Sequence, residues 1–337
     1  MYTYFLNKAD FTTEQKVLLQ NDHFTAESFL YPSGIAALKI SNAKGHMIIL
    51  PFDGQIIWDV VFDGKSLTMD NMFSEPKRGN EIIDTYGCFA FHSGLLANGC
   101  PGPDDVHPLH GEFPTSAMDR SYLMFDETTM TIHSEFEYVK GFGHHYMAKP
   151  SVTMTAGTEE IGISLEVQNR SNYQKMPLQY MCHMNYAYVE NGVMTENIPE
   201  DAFYLRTSVP GHVKPNDDWK AYMAKLEADK ELISVLDRPE MYDPEICFFT
   251  KNLTDYTDTA EFEMSYNGDR KFFIRFDTEE FPYATRWLLN NADQKVAAFA
   301  LPGTSTPEGY LAAERAGTVI ELEPGETRVF NVRTGIK

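Results

Sequence analysis

Basic residues and cysteine are scarce in this sequence, and long hydrophobic runs are missing from it. Lys and Arg number 28 against 49 Asp and Glu, so the formal net charge is −21. Because clustered Lys and Arg hold a phosphate backbone, this balance argues against nucleic acid and against an anionic membrane surface as partners. No run of about 18 apolar residues is present, so no membrane-spanning helix is predicted.

The four cysteines are scattered along the chain, at Cys88, Cys100, Cys182 and Cys247. No two of them are close, so their spacing predicts neither a metal site nor a small domain held by disulfides. We expect reduced thiols. The first 22 residues lack a basic start followed by an apolar run, and a cytoplasmic protein is therefore predicted. The adjacent His144 and His145 would point to opposite faces of a strand, which argues against a metal there.

Hydrophobic residues make up 43% of the 337 residues and aromatic residues 13%, which is enough for a packed core. The side chains alternate strictly over Met130–Tyr138, and Met147–Thr155 and Ile161–Asn169 repeat the pattern. A period of two is typical of a strand with one buried face. Such patterns recur at short intervals with turn residues between them. The sequence therefore predicts one large β domain over residues 1–337, a sandwich or barrel for which two stacked sheets are suitable.

Helical patterns are few, and Asp217–Leu236 is predicted as the longest helix. Trp219, Tyr222 and Leu226 would form one apolar stripe along it. We interpret residues 211–240 as a helical insertion on the outside of the domain. Residues 1–30 are interpreted as an N-terminal extension, in which Asp10–Leu19 is a candidate short helix.

Two segments concentrate polar groups that are suited to a binding site. Gly94–Gly111 is a long loop that is rich in Gly and Pro, contains Asn98 and ends in His110 followed by glycine. Long loops in compact domains are often binding loops, and a glycine beside His110 would let the backbone approach a ligand. In the second segment, Met176–Tyr186, His183 and Asn185 share one face of a strand and would suit the floor of a pocket that reads hydroxyl groups. The alternatives are an ordinary surface loop and a buried, satisfied polar pair.

A third candidate segment is Leu301–Tyr310, a loop of small residues that follows a predicted strand. Arg286 and Trp287 lie just upstream of it. An indole ring can stack on the apolar face of a sugar while its N–H donates a hydrogen bond. Core packing explains Trp287 equally well.

These segments together resemble the aldose 1-epimerase (galactose mutarotase-like) superfamily, in its divergent and poorly characterised branch. The matching segments occur in the order Ile49–Ile56, Gly94–Gly111, Val167–Asn185, Phe281–Trp287 and Leu322–Glu326. The resemblance implies an all-β fold, a large antiparallel β-sandwich with a few peripheral helices and a sugar cleft on one sheet. It also implies a small carbohydrate as ligand and interconversion of its anomers by proton transfer, which needs no cofactor and no metal.

The resemblance assigns roles to individual residues. His183 corresponds to the family's acid, and His110 would bind the sugar and support charge on its ring oxygen. The family's arginine near the first loop has no clear counterpart, and His92 lies close to that position. The residues expected to bind substrate are His92, Asn98, Asn185, Arg286 and Trp287.

The catalytic base is the point at which this sequence departs from the family. The family's glutamate aligns with Leu301, and a leucine cannot accept a proton. Glu308 in the following loop is the first candidate for a relocated base, and Glu314 and Glu190 come next. Two functions remain as hypotheses: a mutarotase acting on a sugar, and a carbohydrate-binding protein that has lost the base. Another sugar-isomerising enzyme on the same scaffold is a third. The oligomeric state is left open.

Overall fold

The computed structural model describes residues 1–211, 213–229 and 233–337, and in this part of the chain the strands form two antiparallel sheets. The sheets stack face to face with the main hydrophobic core between them, because nearly every long strand has one apolar face. The predicted all-β antiparallel sandwich is confirmed.

Nine strands form the smaller sheet. In spatial order they are β1 (Tyr2–Phe5), β9 (Arg120–Phe125), β10 (Thr129–Val139), β11 (His145–Thr155), β12 (Glu160–Asn169), β22 (Thr327–Ile336), β18 (Arg270–Asp277), β17 (Thr259–Asn267) and β14 (Met194–Glu196).

Thirteen strands form the larger sheet. In spatial order they are β15 (Phe203–Leu205), β16 (Ile246–Thr250), β19 (Tyr283–Asn290), β20 (Lys295–Gly303), β13 (Met176–Met184), β8 (Ala90–Leu95), β6 (Ile56–Phe62), β5 (Gly45–Leu50), β4 (Ala36–Asn42), β3 (Thr25–Leu30) and β2 (Lys16–Gln20). Two short strands pair at its side, β21 (Ile320–Leu322) with β13 and β7 (Lys65–Ser66) with β6.

The alternation that predicted the strands also defines the core. Along β12, Ile161, Ile163, Leu165 and Val167 are buried while their neighbours are half-exposed. Successive side chains on a strand point to opposite faces, so one face of β12 lies against the larger sheet.

A second, smaller apolar cluster lies on the opposite face of the larger sheet. Ile57 and Val60 of β6 belong to the main core, whereas Ile56 and Trp58 belong to the smaller cluster. Residues 71–89 cover this cluster. The larger sheet is therefore packed on both faces, and its outer face can hold a site away from bulk water.

Two α-helices are present in the described residues, α1 (Asp217–Ala228) and α2 (Tyr310–Ala316). The prediction of a helix from 217 to 236 is too long. Residues 230–232 lie outside the described residues, and beyond them Val235 pairs with Val193 in a β-bridge. No helix within the described ranges is both apolar enough and long enough to pass through a membrane.

The helix predicted over Asp10–Leu19 is not found. A 3₁₀ turn covers Lys8–Asp10, and residues 16–20 form β2, which pairs with β3 around a tight turn. Asn21 stabilises the turn, because its side chain accepts the backbone N–H groups of His23 and Phe24. Residues 1–30 thus contribute strands to both sheets. Further 3₁₀ turns among the described residues are Ile82–Thr85, Glu200–Ala202, Pro239–Met241 and Leu253–Asp255.

Candidate active site

A cavity of about 450 Å³ opens on the outer face of the larger sheet. Alternate residues of neighbouring strands line its floor, because every second side chain points outward. They are Met181 and His183 of β13, Thr285, Trp287 and Leu289 of β19, Leu301 of β20 and Cys247 of β16. Its volume is that of a small-molecule site.

Two of the loops singled out in the sequence meet at the rim of this cavity. The backbone N–H of Cys100 donates to the carbonyl of Pro307 at 3.0 Å, and that of Leu311 donates to the Asp105 carboxylate at 3.0 Å. The loop over 94–111 is therefore held against the loop over 301–310. Both contribute to the lining, through His110 and Pro307 among others.

The glycine after His110 serves a different purpose from the one expected. Gly111 has φ +80°, and a Cβ there would lie 2.3 Å from the carbonyl oxygen of Ala97 and 2.4 Å from that of Gly94. The close approach is made by the protein's own backbone and not by a ligand. Glycine at this position lets the loop fold tightly enough to bring His110 over the sheet.

A chain of hydrogen bonds orients the His110 ring. Ser93 Oγ donates to Oδ1 of Asn98 and lies 3.0 Å from Nδ1 of His110. A hydroxyl has one proton, so Nδ1 of His110 must be the donor in the second contact. The neutral ring then carries its lone pair on Nε2.

His183 lies beside His110, with ring centroids 4.9 Å apart and planes nearly perpendicular. It stacks on Phe91 at 4.5 Å and is 3% exposed. Its Nε2 is 3.2 Å from the hydroxyl of Tyr86, which also lines the cavity. The two histidines and Tyr86 form one wall, and Trp287 approaches His183 edge-on at 5.8 Å.

The pKa of His183 is held well below its ordinary value. Burial is the main cause, the nearby His110 acts in the same direction, and the amide of Asn185 opposes both. Among the described atoms, Nδ1 of His183 and Oδ1 of Asn185 are buried without a hydrogen-bond partner. Burial raises the pKa of the Tyr86 hydroxyl well above its usual range, so this hydroxyl stays protonated and can donate to Nε2 of His183.

A buried carboxylate that sequence reasoning missed lines another wall. Glu245 is 6% exposed, forms an ion pair with Arg206 and accepts the indole N–H of Trp287 at 2.8 Å. Its backbone carbonyl accepts the indole N–H of Trp219, so helix α1 fixes this segment from outside. A buried ion pair is stable only when hydrogen bonds replace the lost hydration, and here the Trp287 indole provides one to Glu245.

A signal for Glu245 was present in the sequence. It directly precedes the apolar run Ile246–Thr250, and a charged residue at the start of a buried strand needs a partner. Arg206 follows the short strand β15, which pairs with β16. The thiols of Cys100 and Cys247 also face the cavity, and burial raises their pKa to about 11 and about 12. They stay protonated and are poor nucleophiles.

Four expected substrate-binding residues lie outside the cavity lining. The Nδ1 atom of His92 is 2.8 Å from the hydroxyl of Tyr180, behind the sheet, and Asn98 acts only through Ser93. Asn185 follows the last residue of β13 and donates to the carbonyl of Cys88. Arg286 points to the opposite face of β19 from Trp287, where it pairs with Glu196 at 2.6 Å. Of the expected substrate-binding residues, Trp287 alone lines the cavity within the described chain.

The candidate bases are also placed by the structure. Leu301 lies in the cavity floor, 1% exposed, where the resemblance puts the family's glutamate. Glu308 is outside the lining and accepts the hydroxyl of Ser208 at 2.7 Å. Glu314 is exposed on α2 and Glu190 is exposed after β13.

The buried His92 predicts a loss of stability in acid. Burial lowers its pKa to about 3. Below about pH 6.5 His92 therefore binds a proton in the unfolded chain but stays neutral in the folded chain. Stability should fall by about 1.4 kcal/mol per pH unit from this residue between those values. The free energy of unfolding in urea should differ less between pH 7 and pH 5 for His92→Gln than for the wild type. His23→Gln, at an exposed position, serves as control. If the unfolding free energy of His92→Gln depends on pH as steeply as that of the wild type, His92 is not the cause of the loss of stability in acid.

The fold is a galactose mutarotase-like β-sandwich. A crystal structure from Klebsiella pneumoniae, provisionally named an aldose 1-epimerase, has a TM-score of 0.82 at 16% identity, covering 99% of this chain and 91% of that one. A galactose mutarotase-like protein from Clostridium acetobutylicum has a TM-score of 0.63 at 13% identity, covering 94% and 99%. Galactose 1-epimerase from Lactobacillus acidophilus has a TM-score of 0.55 at 11% identity, covering 96% and 98%.

The chain belongs to the family described as Domain of unknown function (DUF4432), whose model matches residues 33–336. No match was found among curated proteins. The fold that the resemblance implied is confirmed, and at these identities the solved structures establish the fold alone.

Proposed function

We propose that this protein binds an aldose in the cavity on the larger sheet and interconverts its anomers. The observation that supports this most is that one cavity contains both kinds of group that the reaction needs. The imidazoles of His110 and His183 and the buried carboxylate of Glu245 all line it. Anomer exchange requires an acid and a base that reach the same sugar ring.

The proposed reaction moves two protons and uses no other reactant. Glu245 takes the proton from the C1 hydroxyl while protonated His183 gives one to the ring oxygen, and the bond between C1 and that oxygen breaks. The aldehyde rotates about the bond between C1 and C2. Closure on the other face returns both protons, so the sugar and the protein end unchanged in composition. Glu245 replaces Glu308 in this proposal, because Glu245 lines the cavity and Glu308 does not.

The charges of the cavity favour a neutral sugar. Among the described lining residues, Arg206 is already paired with Glu245, and Asp243 adds a further negative charge. A phosphorylated or carboxylated sugar would find no unpaired cation there, and desolvating its charge would be unfavourable. Trp287 offers its ring to the apolar face of a pyranose.

A carbohydrate-binding protein without catalysis is the second candidate, and Leu301 is the observation that favours it. Leu301 lies in the cavity floor, at the position where the sequence resemblance places the glutamate base of the aldose 1-epimerases. This reading retains the histidine wall and Trp287 as binding groups and gives Glu245 a structural role.

One experiment separates the two functions. Freshly dissolved α-D-glucose and α-D-galactose are followed by NMR as they relax to anomeric equilibrium, with and without protein. We expect relaxation faster than the spontaneous rate and proportional to protein concentration. If tryptophan fluorescence shows binding and the relaxation is not accelerated, the carbohydrate-binding protein is favoured. If the protein neither binds these sugars nor accelerates their relaxation, both proposals are contradicted for these sugars.

A further inference from the structure

We propose that a second groove on the outer face of the larger sheet binds another sugar unit, so that the preferred substrate is a saccharide of at least two units. This inference rests on the proposed function and extends it. The groove has a volume of about 260 Å³ and is lined by Tyr31, Trp58, Asp59, Asp70 and Phe73, among others. Nothing in the proposed proton transfer uses it.

The groove adjoins the candidate active site at one side chain. Phe73 lines both the groove and the main cavity. Its backbone is held in place, since its N–H donates to Oδ1 of Asn71 at 2.8 Å. The Asn71 amide in turn donates to the carbonyls of Met69 and Gly87. The two spaces are therefore neighbours with the Phe73 side chain at their boundary.

Two aromatic side chains give the groove a face for a pyranose ring. Trp58 and Tyr31 lie with ring centroids 6.5 Å apart at a steep angle, and the smaller apolar cluster supports Trp58 from below. Trp58 is 7% exposed, and its indole N–H is not among the fully buried polar atoms that lack a partner. No hydrogen bond within the described residues uses this N–H, so it can donate to a ligand in the groove. A sugar hydroxyl in the groove would accept this hydrogen bond.

Two carboxylates provide acceptors for sugar hydroxyls beside these rings. Asp59 is half-buried and holds the hydroxyl of Thr68 at 2.6 Å through Oδ1. Asp70 pairs with Lys295 only through the backbone, which fixes its position while its side chain stays exposed. Carboxylates accept hydrogen bonds from sugar hydroxyls, and the aromatic rings bind the apolar face of the sugar. Aromatic rings beside polar acceptors are suited to an uncharged saccharide.

The test compares sugars that share the same reducing end. D-glucose, maltose, cellobiose and lactose all present glucose to the cavity, and only the last three have a second ring. We expect at least one disaccharide to be exchanged with a kcat/KM about tenfold or more above that of glucose. In Tyr31→Ala and Asp70→Asn the ratio of the disaccharide kcat/KM to the glucose kcat/KM should fall about 2- to 10-fold, the value of one aromatic or hydrogen-bonded contact. The kcat/KM for glucose itself should not change. Asp258→Asn is the matched control, because Asp258 is exposed just before β17 of the smaller sheet.

The outcomes separate this inference from the proposed function. If glucose is exchanged but no disaccharide is preferred, or if neither variant changes the preference, the groove is not a subsite and the proposed function stands. If the protein exchanges the anomers of none of these sugars, fluorescence titration of sugar binding still tests whether the groove is a subsite. Tighter binding of a disaccharide that Asp70→Asn weakens supports the groove without catalysis, and equal or absent binding overturns it.

Discussion

Replacement of Glu245 by glutamine should lower the rate of anomer exchange by about 10²–10⁴-fold, the usual contribution of a general base. Glutamine has nearly the same shape and can still accept the indole N–H of Trp287, but it cannot take the C1 proton. Sugar affinity should change much less than kcat. The measurement is the relaxation rate by NMR above the spontaneous background, at saturating sugar.

Two controls make this result interpretable. Glu308→Gln removes a carboxylate that bonds to Ser208 outside the cavity, so it should leave the rate unchanged. Glu245→Gln also leaves the buried guanidinium of Arg206 without its partner, which typically costs about 3–5 kcal/mol. The double variant Arg206→Gln/Glu245→Gln removes both charges and should recover much of the stability while staying slow. If Glu308→Gln is slow and Glu245→Gln is not, the base is Glu308.

Replacement of His183 by glutamine should lower kcat/KM by about 10²–10⁴-fold and should also remove a pH dependence. Because burial holds the pKa of His183 well below its ordinary value, its acidic form is scarce at neutral pH. In the wild type kcat/KM should therefore rise as the pH falls from 7, since a growing fraction of His183 carries the proton that the ring oxygen needs.

His145→Gln, on the smaller sheet and paired with Glu137, provides the matched control and should keep both the rate and the profile. A wild-type kcat/KM that is flat or falling below pH 7 would argue against His183 as the acid. The same conclusion would follow if His183→Gln kept the wild-type profile.

Alternation along the chain was sufficient to predict the strands and a β domain that is a sandwich or a barrel, and the family resemblance selected the sandwich. This works because burying one face of a sheet imposes a period of two on every strand, whatever its partner. The same rule could have corrected one assignment. Arg286 and Trp287 are neighbours on β19 and must point to opposite faces, so they cannot both line one cavity. Arg286 indeed pairs with Glu196 on the side away from Trp287.

Local sequence also identified which loops would matter but not what holds them. The run His110–Gly111 was recognisable, yet the reason for the glycine is the approach of two carbonyls from residues 94 and 97. Asn185 was placed beside His183 by counting along a strand. That strand ends at Met184, where the backbone N–H of Asn185 bonds to the carbonyl of Phe89 and the side chain is buried beneath the site.

The periodicity of the sequence determined the strands and the all-β class. The family resemblance implied the sandwich and a position beside a sugar cleft for two histidines. Tertiary structure alone decided which carboxylate shares their cavity. Glu245 and Arg206 are 39 positions apart, and each becomes a site residue only because β15 pairs with β16 at the edge of the larger sheet. Strand order depends on contacts between distant segments and leaves no periodic trace in the chain, whereas burial of one face leaves such a trace in every strand.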